Sequence, residues 1–330
     1  MRHEMKPRAF LPILALAASF ALSPAGAQET EGSASRNYTG PVIDMHMHAF
    51  TIELQGPDAG SGFTNPLTGR SYTRVNSPEE QRRETYDRIE KYNIVKAAVS
   101  GSGTVSWHEA DQDRVLIGSM VSTRRSTVDE LRRQHGEGKL HILGEMGPYY
   151  EGLRADDPAV KPFFDLAEEL GIPAAYHLFP GGGPGSLYAG GMMSRIRAAN
   201  ADPMQIEEVL VTHPTMRIYV MHAGWPYLED MKALMFAHPQ LHVGIAAINW
   251  LIPTTEFHGF LKGLVDAGYG KRILWGTDQM DMPSVMDDAF ESVDSAAFLT
   301  AEQTADIFYY NAARFLGLSE EEIAGHWETN

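Results

Sequence analysis

Val42-Ile43-Asp44-Met45-His46-Met47-His48 is the most informative segment of the 330-residue chain. It begins as an apolar run typical of a strand buried on both faces of a parallel sheet. It ends in two histidines one residue apart. Alternate side chains of a strand point to the same side, so His46 and His48 are predicted to face one point, as a single metal ion requires. The glycine-rich phosphate loop that would favour the rival interpretation, a doubly wound open sheet, does not follow this strand.

Further short apolar runs alternate with amphipathic segments along the rest of the chain. This alternation predicts an α/β protein with parallel strands. Eight strands with helices between them fit a single-domain (β/α)8 TIM barrel, which typically takes about 250 residues plus insertions. The predicted strands are Val42–Met45, Ile94–Val99, Val115–Met120, Leu140–Leu143, Ile172–Tyr176, Ile218–Met221, His242–Ile248 and Ile273–Trp275.

Two connections are unusually long for a barrel. Residues 49–76 follow the first predicted strand, and residues 179–201 follow the fifth and contain Pro180-Gly181-Gly182-Gly183-Pro184-Gly185. Both leave the C-terminal ends of strands, where barrel active sites are built. We expect them to act as substrate lids, with surface elaboration as the alternative.

The N-terminus carries the features of a secretory signal. Arg2, Lys6 and Arg8 precede the apolar stretch 10–22, and residues 23–27 have the small-residue pattern of a signal-peptidase site. The stretch is short for a membrane span, although an uncleaved anchor is the alternative. We therefore expect a periplasmic or secreted protein with no membrane segment in its mature form.

The chain is accordingly divided into four parts. Residues 1–27 are the predicted signal peptide, 28–40 a flexible linker, 41–318 the barrel and 319–330 a C-terminal tail.

Charge and composition exclude several classes of function. The formal net charge is -16, which repels phosphate backbones, so no nucleic-acid partner is expected. The chain has no cysteine, which excludes disulfides, thiolate nucleophiles and cysteine-ligated zinc. A metal must therefore be held by His, Asp and Glu. The expected partner is a small-molecule substrate, and a homo-oligomer is left open.

Ionisable residues also end four other predicted strands. They are Glu145, His177, His222 and Asp278. Burying a polar group without a hydrogen bond costs on the order of 2–7 kcal/mol, and burying an unpaired charge costs more. A shared cation therefore explains the set better than coincidence does. Glu145 is the weakest member, because its carboxylate could instead pair with a nearby base.

The order His-x-His, Glu, His, His, Asp resembles the amidohydrolase superfamily, in its amidohydrolase-related branch of metal-dependent TIM-barrel hydrolases. Residues 308–318 also resemble the closing helix of that branch, and the likeness covers about Val42 to Leu318. It implies a hydrolytic or decarboxylating metalloenzyme with a divalent cation at the barrel mouth. By this likeness His46, His48, His177 and Asp278 are metal ligands, and His222 is a ligand or supports one.

Glu145 departs from relatives that bridge two metals with a carboxylated lysine. A carboxylate can bridge two cations without modification, so one ion and two ions both remain open. We favour two: His46 and His48 hold one with Asp278, His177 and His222 hold the other, and Glu145 lies between them. Zinc is the expected metal.

The resulting hypothesis is an exported hydrolase that uses a metal-activated water to cleave an ester, lactone or amide of a small molecule. Asp278 is expected to move the proton of that water, and either the cation or His222 to polarise the scissile carbonyl. One alternative is a metal-dependent non-oxidative decarboxylase. Another is a metal- or ligand-binding protein without catalysis.

Substrate-binding residues are harder to predict. Arg124 and Arg125 follow the third strand and could clamp an anion, although a solvated pair fits equally. Trp225 follows His222, and Asn249 follows the seventh strand, so both could line a pocket, with packing as the alternative.

Overall fold

The computed structural model describes residues 37–51, 60–188 and 194–328 of the chain. The predicted signal peptide, 1–27, and residues 28–36 of the predicted linker lie outside the described residues. No helix in the described ranges is both long enough and apolar enough to span a membrane.

In the described residues, eight parallel strands form the body of the fold, and a short hairpin lies between the first two of them. In chain order the strands are β1 Val42–His48, β2 Gly62–Thr64, β3 Ser71–Thr73, β4 Ile94–Ser100, β5 Val115–Ile117, β6 Leu143–Met146, β7 Ala174–His177, β8 Ile218–Met221, β9 Leu241–Gly244 and β10 Ile273–Leu274. The hairpin is β2–β3.

The parallel strands pair in the order expected of a barrel. β1, β4 and β5 form one parallel sheet, and β6 to β10 form another in sequence order. Val121 N donates to Glu145 O at 2.9 Å, linking the two sheets on one side. Met45 N donates to Trp275 O at 3.0 Å on the other side. The predicted TIM-barrel fold is confirmed.

Helices return the chain from one strand to the next. The first begins at a typical N-cap sequence, with Ser77 Oγ accepting from Glu80 N at 3.1 Å and Pro78 in the first turn. The helices are α1 Pro78–Lys91, α2 Thr104–Ala110, α3 Val128–Gly136, α4 Lys161–Leu170, α5 Glu207–Thr212, α6 Leu228–Ala237, α7 Ile248–Leu251, α8 Thr254–Asp266, α9 Val285–Asp294, α10 Ala301–Ala305, α11 Asn311–Leu316 and α12 Glu320–Glu328.

The core has two parts. The larger cluster fills the space between strands and helices. The smaller one combines strand residues such as Ile43, Tyr219 and Leu274 with Ala312 and Phe315 of α11. Arg217, just before β8, donates to Phe315 O, and Asn311 Nδ2 donates to Ile273 O at the start of β10, so α11 packs at the end of the barrel where the strands begin.

Residues 60–76, the longer described part of the long connection after β1, have regular structure. This part contains the hairpin β2–β3, which is fixed to the barrel wall. Asn65 Nδ2 donates to Leu251 O at 2.8 Å, and the Tyr72 hydroxyl donates to Asp288 Oδ2 at 2.6 Å. Hydrogen bonds to the barrel, rather than the Gly- and Ser-rich composition, determine the structure of this part of the connection.

Both ends of the barrel domain also differ from expectation. Residues 37–40, predicted to end the flexible linker, are packed: Tyr38 N donates to Asp294 Oδ1 at 2.7 Å, and its ring stacks on Phe308 at 5.0 Å. The predicted tail forms α12, whose Trp327 stacks on Tyr310 at 5.8 Å. Aromatic packing holds both segments against the domain.

Candidate metal centre

Six ionisable side chains meet at the C-terminal ends of the barrel strands. They form two groups, and within each group the candidate ligand atoms lie within 4.8 Å of one another. The first ligand group is His46, His48 and Asp278, and the second ligand group is Glu145, His177 and His222. These are the six residues that the sequence predicted as metal ligands.

The first ligand group joins β1 to the segment after β10. Nε2 of His48 lies 2.9 Å from Asp278 Oδ1, and Nε2 of His46 lies 3.5 Å from the same oxygen. The two Nε2 atoms of His46 and His48 are 3.2 Å apart. The alternation of side chains in β1 thus brings both imidazoles to one carboxylate.

Glu145, a member of the second ligand group, lies between its histidines and those of the first ligand group. Its Oε1 is 2.6 Å from Nδ1 of His177, and Nε2 of His222 is 3.1 Å from that same Nδ1. Its Oε2 faces the other way, 3.6 Å from His46 Nε2 and 3.5 Å from His48 Nε2. One carboxylate therefore directs one oxygen toward each group, which is the geometry of a bridging ligand.

Hydrogen bonds behind the ligands orient two of the imidazoles. Nδ1–H of His222 donates to Ala246 O at 2.9 Å, which leaves Nε2 unprotonated and directed at the centre. Nδ1 of His48 pairs with the Ser100 hydroxyl at 3.1 Å. Such support of the distal ring nitrogen is the usual arrangement of metal-binding histidines.

Burial and neighbouring charges shift the pKa values of these groups strongly. Burial opposes ionisation of Glu145 and Asp278, but the imidazoles beside them outweigh it and hold the pKa of each carboxyl below its ordinary range. Burial, with His177 nearby, lowers the pKa of His222 to about 3. At neutral pH the centre therefore offers two carboxylates and a neutral His222 imidazole.

The donor set fits a divalent cation. All six side chains offer nitrogen or oxygen, and five of them are almost completely buried, which would be costly for charged groups without a counter-ion. Imidazole with carboxylate suits zinc and also first-row ions such as manganese.

Two of the candidate ligands lie on strained backbone. His222 has φ 61° and Asp278 has φ 52°, both in the left-handed region that residues other than glycine rarely adopt. The strand must turn at these points for the side chain to aim into the barrel mouth. Such strain is common where function fixes a side chain.

Comparison with known protein families identifies the family of this chain. The model of the amidohydrolase family matches residues 43–318. The chain belongs to the amidohydrolase family. The match covers the whole barrel of this amidohydrolase, including all six side chains of the centre. No curated protein matches the chain.

Solved structures share the fold at low sequence identity. An uncharacterised TIM-barrel protein from Bordetella bronchiseptica is 18% identical with a TM-score of 0.63, over 84% of this chain and 98% of that one. A probable 2-pyrone-4,6-dicarboxylic acid hydrolase from Acinetobacter baumannii is 15% identical with a TM-score of 0.58, over 84% and 99%. A dihydroxybenzoic acid decarboxylase from a Polaromonas species, with bound manganese and an inhibitor, is 12% identical with a TM-score of 0.58, over 86% and 99%.

The likeness to these three proteins establishes the fold and leaves the reaction open. The chain therefore has the metal-dependent enzyme fold of the amidohydrolase family. The solved structures that share this fold include a probable hydrolase and a decarboxylase.

Tyr150 is a site residue that the sequence analysis missed. Its hydroxyl lies 3.2 Å from Glu145 Oε1 and 3.2 Å from His177 Nδ1. The only signal was its position shortly after the β6 ligand, and an aromatic residue there fits packing equally well.

Three further polar residues support the ligands and were also missed. They are Asp44 on β1 and Thr277 and Gln279, which flank Asp278, and all three side chains are buried. A buried aspartate in an apolar run was the available signal for Asp44.

The contacts found for the side chains of Arg124, Trp225 and Asn249 are with residues other than the six candidate ligands. Arg124 is exposed, with Nε 3.7 Å from Glu151 Oε2, and Arg125 is exposed beside it. Trp225 packs on Phe179 at 5.7 Å. Asn249 is buried, and its Nδ2 donates to Gly276 O at 2.9 Å. Their part in substrate binding stays a prediction.

Proposed function

We propose that this amidohydrolase is a two-cation hydrolase that cleaves an ester, lactone or amide bond of a small molecule. The position of Glu145 carries the proposal, because its two oxygens face the two ligand groups separately. A centre with two cations suits water activation, since one charge can stabilise the attacking oxygen and the other the leaving oxygen.

The residues that would hold the cations follow from the geometry. His46, His48 and Asp278 would hold one, His177 and His222 the other, and Glu145 both. When bound, divalent cations supply Lewis acidity, which lowers the pKa of water from 15.7 toward about 7 and stabilises negative charge on oxygen. Zinc is the metal we propose, because the imidazole-rich set suits it.

Asp278 is the residue we propose for proton transfer. Its side chain is 15% exposed, against 1% to 4% for His46, His48 and Glu145, so it is the most accessible of these groups to water and substrate. Its lowered pKa keeps it ionised at neutral pH, so it can accept a hydrogen bond from the attacking water and take the proton of that water in the transition state. The same carboxyl can return that proton to the leaving group.

Aromatic side chains surround the centre and restrict access to it. The Phe50 ring stacks parallel to His48 at 5.7 Å. Phe179 lies 5.3 Å from the His222 ring, with Trp225 on its other side. Apolar rings at the mouth favour a small, partly apolar substrate and exclude bulk water, which strengthens electrostatic interactions inside.

Location and partners belong to the same proposal. We propose a periplasmic or secreted enzyme that acts on a small molecule and binds no nucleic acid, supported by the basic and apolar features of residues 1–27 and by the net charge of -16. Fractionation of cells that produce the full chain, with N-terminal sequencing of the product, tests this part.

Product analysis tests the reaction. The purified protein would first be measured for zinc and other divalent metals, then tested on esters, lactones and dipeptides in water enriched in ¹⁸O. We expect two cations per chain and ¹⁸O in the acid product. Release of CO₂ from an aromatic or unsaturated acid, without ¹⁸O incorporation, would instead establish a decarboxylase. Stoichiometric metal without turnover of any compound would favour a binding protein.

A further inference from the structure

The seam between the first and last strands of the barrel carries few backbone hydrogen bonds. Within the described residues, Met45 N donates to Trp275 O at 3.0 Å, and Asp278 N donates to His46 O at 2.7 Å. β1 and β10 do not pair as a regular ladder. Yet the first ligand group spans this seam, because His46 and His48 lie on one side and Asp278 on the other.

The Asp44 side chain takes the place of part of the missing ladder. Its Oδ1 accepts from His46 N at 2.9 Å and from Thr277 N at 3.1 Å. Its Oδ2 accepts from the Thr277 hydroxyl at 2.7 Å. One buried carboxylate thus fixes the backbone of a ligand on β1 to the residue just before Asp278.

Gln279 makes a second contact between the two sides of the seam, at His48, two residues after His46. Its Oε1 accepts from His48 N at 3.0 Å, and its Nε2 donates to His48 O at 2.7 Å. The side-chain amide therefore pairs with the backbone of His48 as a neighbouring strand would. Thr277 and Gln279 flank Asp278, so both contacts fix the same short segment.

We propose that Asp44 and Gln279 are positioning residues that set the spacing between Asp278 and the histidines of β1, and so create the first cation site. This inference rests on the two-cation function proposed above. Neither side chain needs to touch substrate or cation. Each acts through the backbone of a ligand.

The second ligand group needs no such support, which makes the proposed effect selective. His177 and His222 come from β7 and the end of β8, which pair through a regular parallel ladder up to His177 and Met221. Backbone hydrogen bonds already fix these strands. Loss of Asp44 or Gln279 should therefore weaken one cation site and spare the other.

Zinc titration of the full chain with a competing chelator tests the selectivity. Asp44→Ala and Gln279→Met each remove the seam contacts from a different side. We expect the wild type to bind two zinc ions, and each variant to bind one normally and the other about ten-fold or more weakly. With Co²⁺ in place of zinc, the visible spectrum of one site should change and that of the other should persist.

Two controls separate positioning from general damage. Gln205 is also a buried glutamine that braces backbone, with Oε1 accepting from Ala155 N at 2.7 Å, but it lies away from the seam. Gln205→Met should leave both sites intact. Asp44→Asn should restore the first site, because its amide can accept both backbone bonds and donate to the Thr277 hydroxyl.

The possible results are distinct. Failure of the wild type to bind two cations contradicts the proposed function. If the wild type binds two, the inference is overturned by normal affinity at both sites in both variants, by equal loss at both sites, or by an Asp44→Asn variant as weak as Asp44→Ala. Selective loss in both variants, with rescue by Asn, supports it.

Discussion

The hydroxyl of Tyr150 lies 3.2 Å from Oε1 of Glu145. Burial, together with the negative charge of Glu145, raises the pKa of this phenol well above its ordinary value, so it remains protonated and donates to the carboxylate. The Tyr150 hydroxyl thus fixes Oε1 of Glu145, the oxygen that faces His177.

Tyr150→Phe removes that donor without changing the ring. We expect zinc affinity at the second site to fall about ten-fold, with a loss of turnover, because Glu145 is no longer oriented. The neighbouring Tyr149 is the matched control, since its hydroxyl donates to Arg197 O instead, and Tyr149→Phe should keep both properties. Equal effects of the two substitutions would argue against this role.

Glu145→Gln tests the bridge. The substitution keeps the shape of the side chain but removes the charge that faces both ligand groups. We expect metal content to fall from two cations to one and turnover to fall by about 10²-fold or more. Elemental analysis and steady-state kinetics measure the two effects. Glu169→Gln, at an exposed ion pair with Arg132, is the control and should change neither.

Asp278→Asn separates proton transfer from metal binding. The amide cannot accept the proton of the attacking water, so turnover should fall by about 10²- to 10⁴-fold. His46, His48 and Glu145 remain to hold the cation at saturating zinc. A variant that keeps its metal yet loses turnover fits the role, whereas substantial activity at full metal occupancy would contradict it.

Chelation should destabilise the folded protein. Without cations, Glu145 and the four imidazoles of the centre remain buried beside the partly exposed carboxylate of Asp278. Since ligand binding to the native state adds about 4 kcal/mol at a thousand-fold excess over Kd, we expect EDTA to lower the unfolding temperature and zinc to restore it. Thermal melts with and without zinc measure this, and magnesium at the same concentration should restore less. An unchanged melt after verified metal removal would contradict the expectation.

His242 on β9 should make the protein sensitive to acid. Burial, helped by Arg272 and Arg314, lowers its pKa to about 4. Because the folded-state pKa is depressed, the unfolded chain takes up the proton first. Stability is complete above about pH 6.5 and is lost as the pH falls toward 4, by about 2 kcal/mol at pH 5.

His242→Gln removes this titration. Urea unfolding of the wild type and the variant at pH 7.5 and pH 5 measures it, because protonation of the metal ligands is common to both proteins. The variant should lose less stability than the wild type between the two pH values. Parallel losses would show that His242 does not titrate in this range.

The strands could be predicted because buried parallel strands are apolar runs. The residues at which the strands begin and end could not be predicted. The run predicted at Leu140–Leu143 forms a strand at Leu143–Met146, since pairing with β7 sets its limits. The run predicted at His242–Ile248 stops at Gly244, because the chain turns at Ala247 with φ 60°. Neither limit depends on local sequence alone.

The six candidate ligands could be predicted because each is an ionisable residue that follows an apolar run. The residues that support them could not, since their roles depend on partners far away in the chain. Asp44 and Thr277 are 233 residues apart, and Gln279 and His48 are 231 apart. Tyr150 is close in sequence to Glu145, but the orientation of its side chain depends on contacts that form only in the folded protein.

The seam between β1 and the last strand also bears on how the enzyme is made. Because His46 and Asp278 come from opposite ends of the domain, a chain still emerging from the ribosome cannot contain the first cation site. The site comes into being only when the ring of strands closes, after nearly all of the domain has been synthesised. Uptake of that cation therefore marks the completion of folding, and fragments lacking either terminal strand should never acquire it.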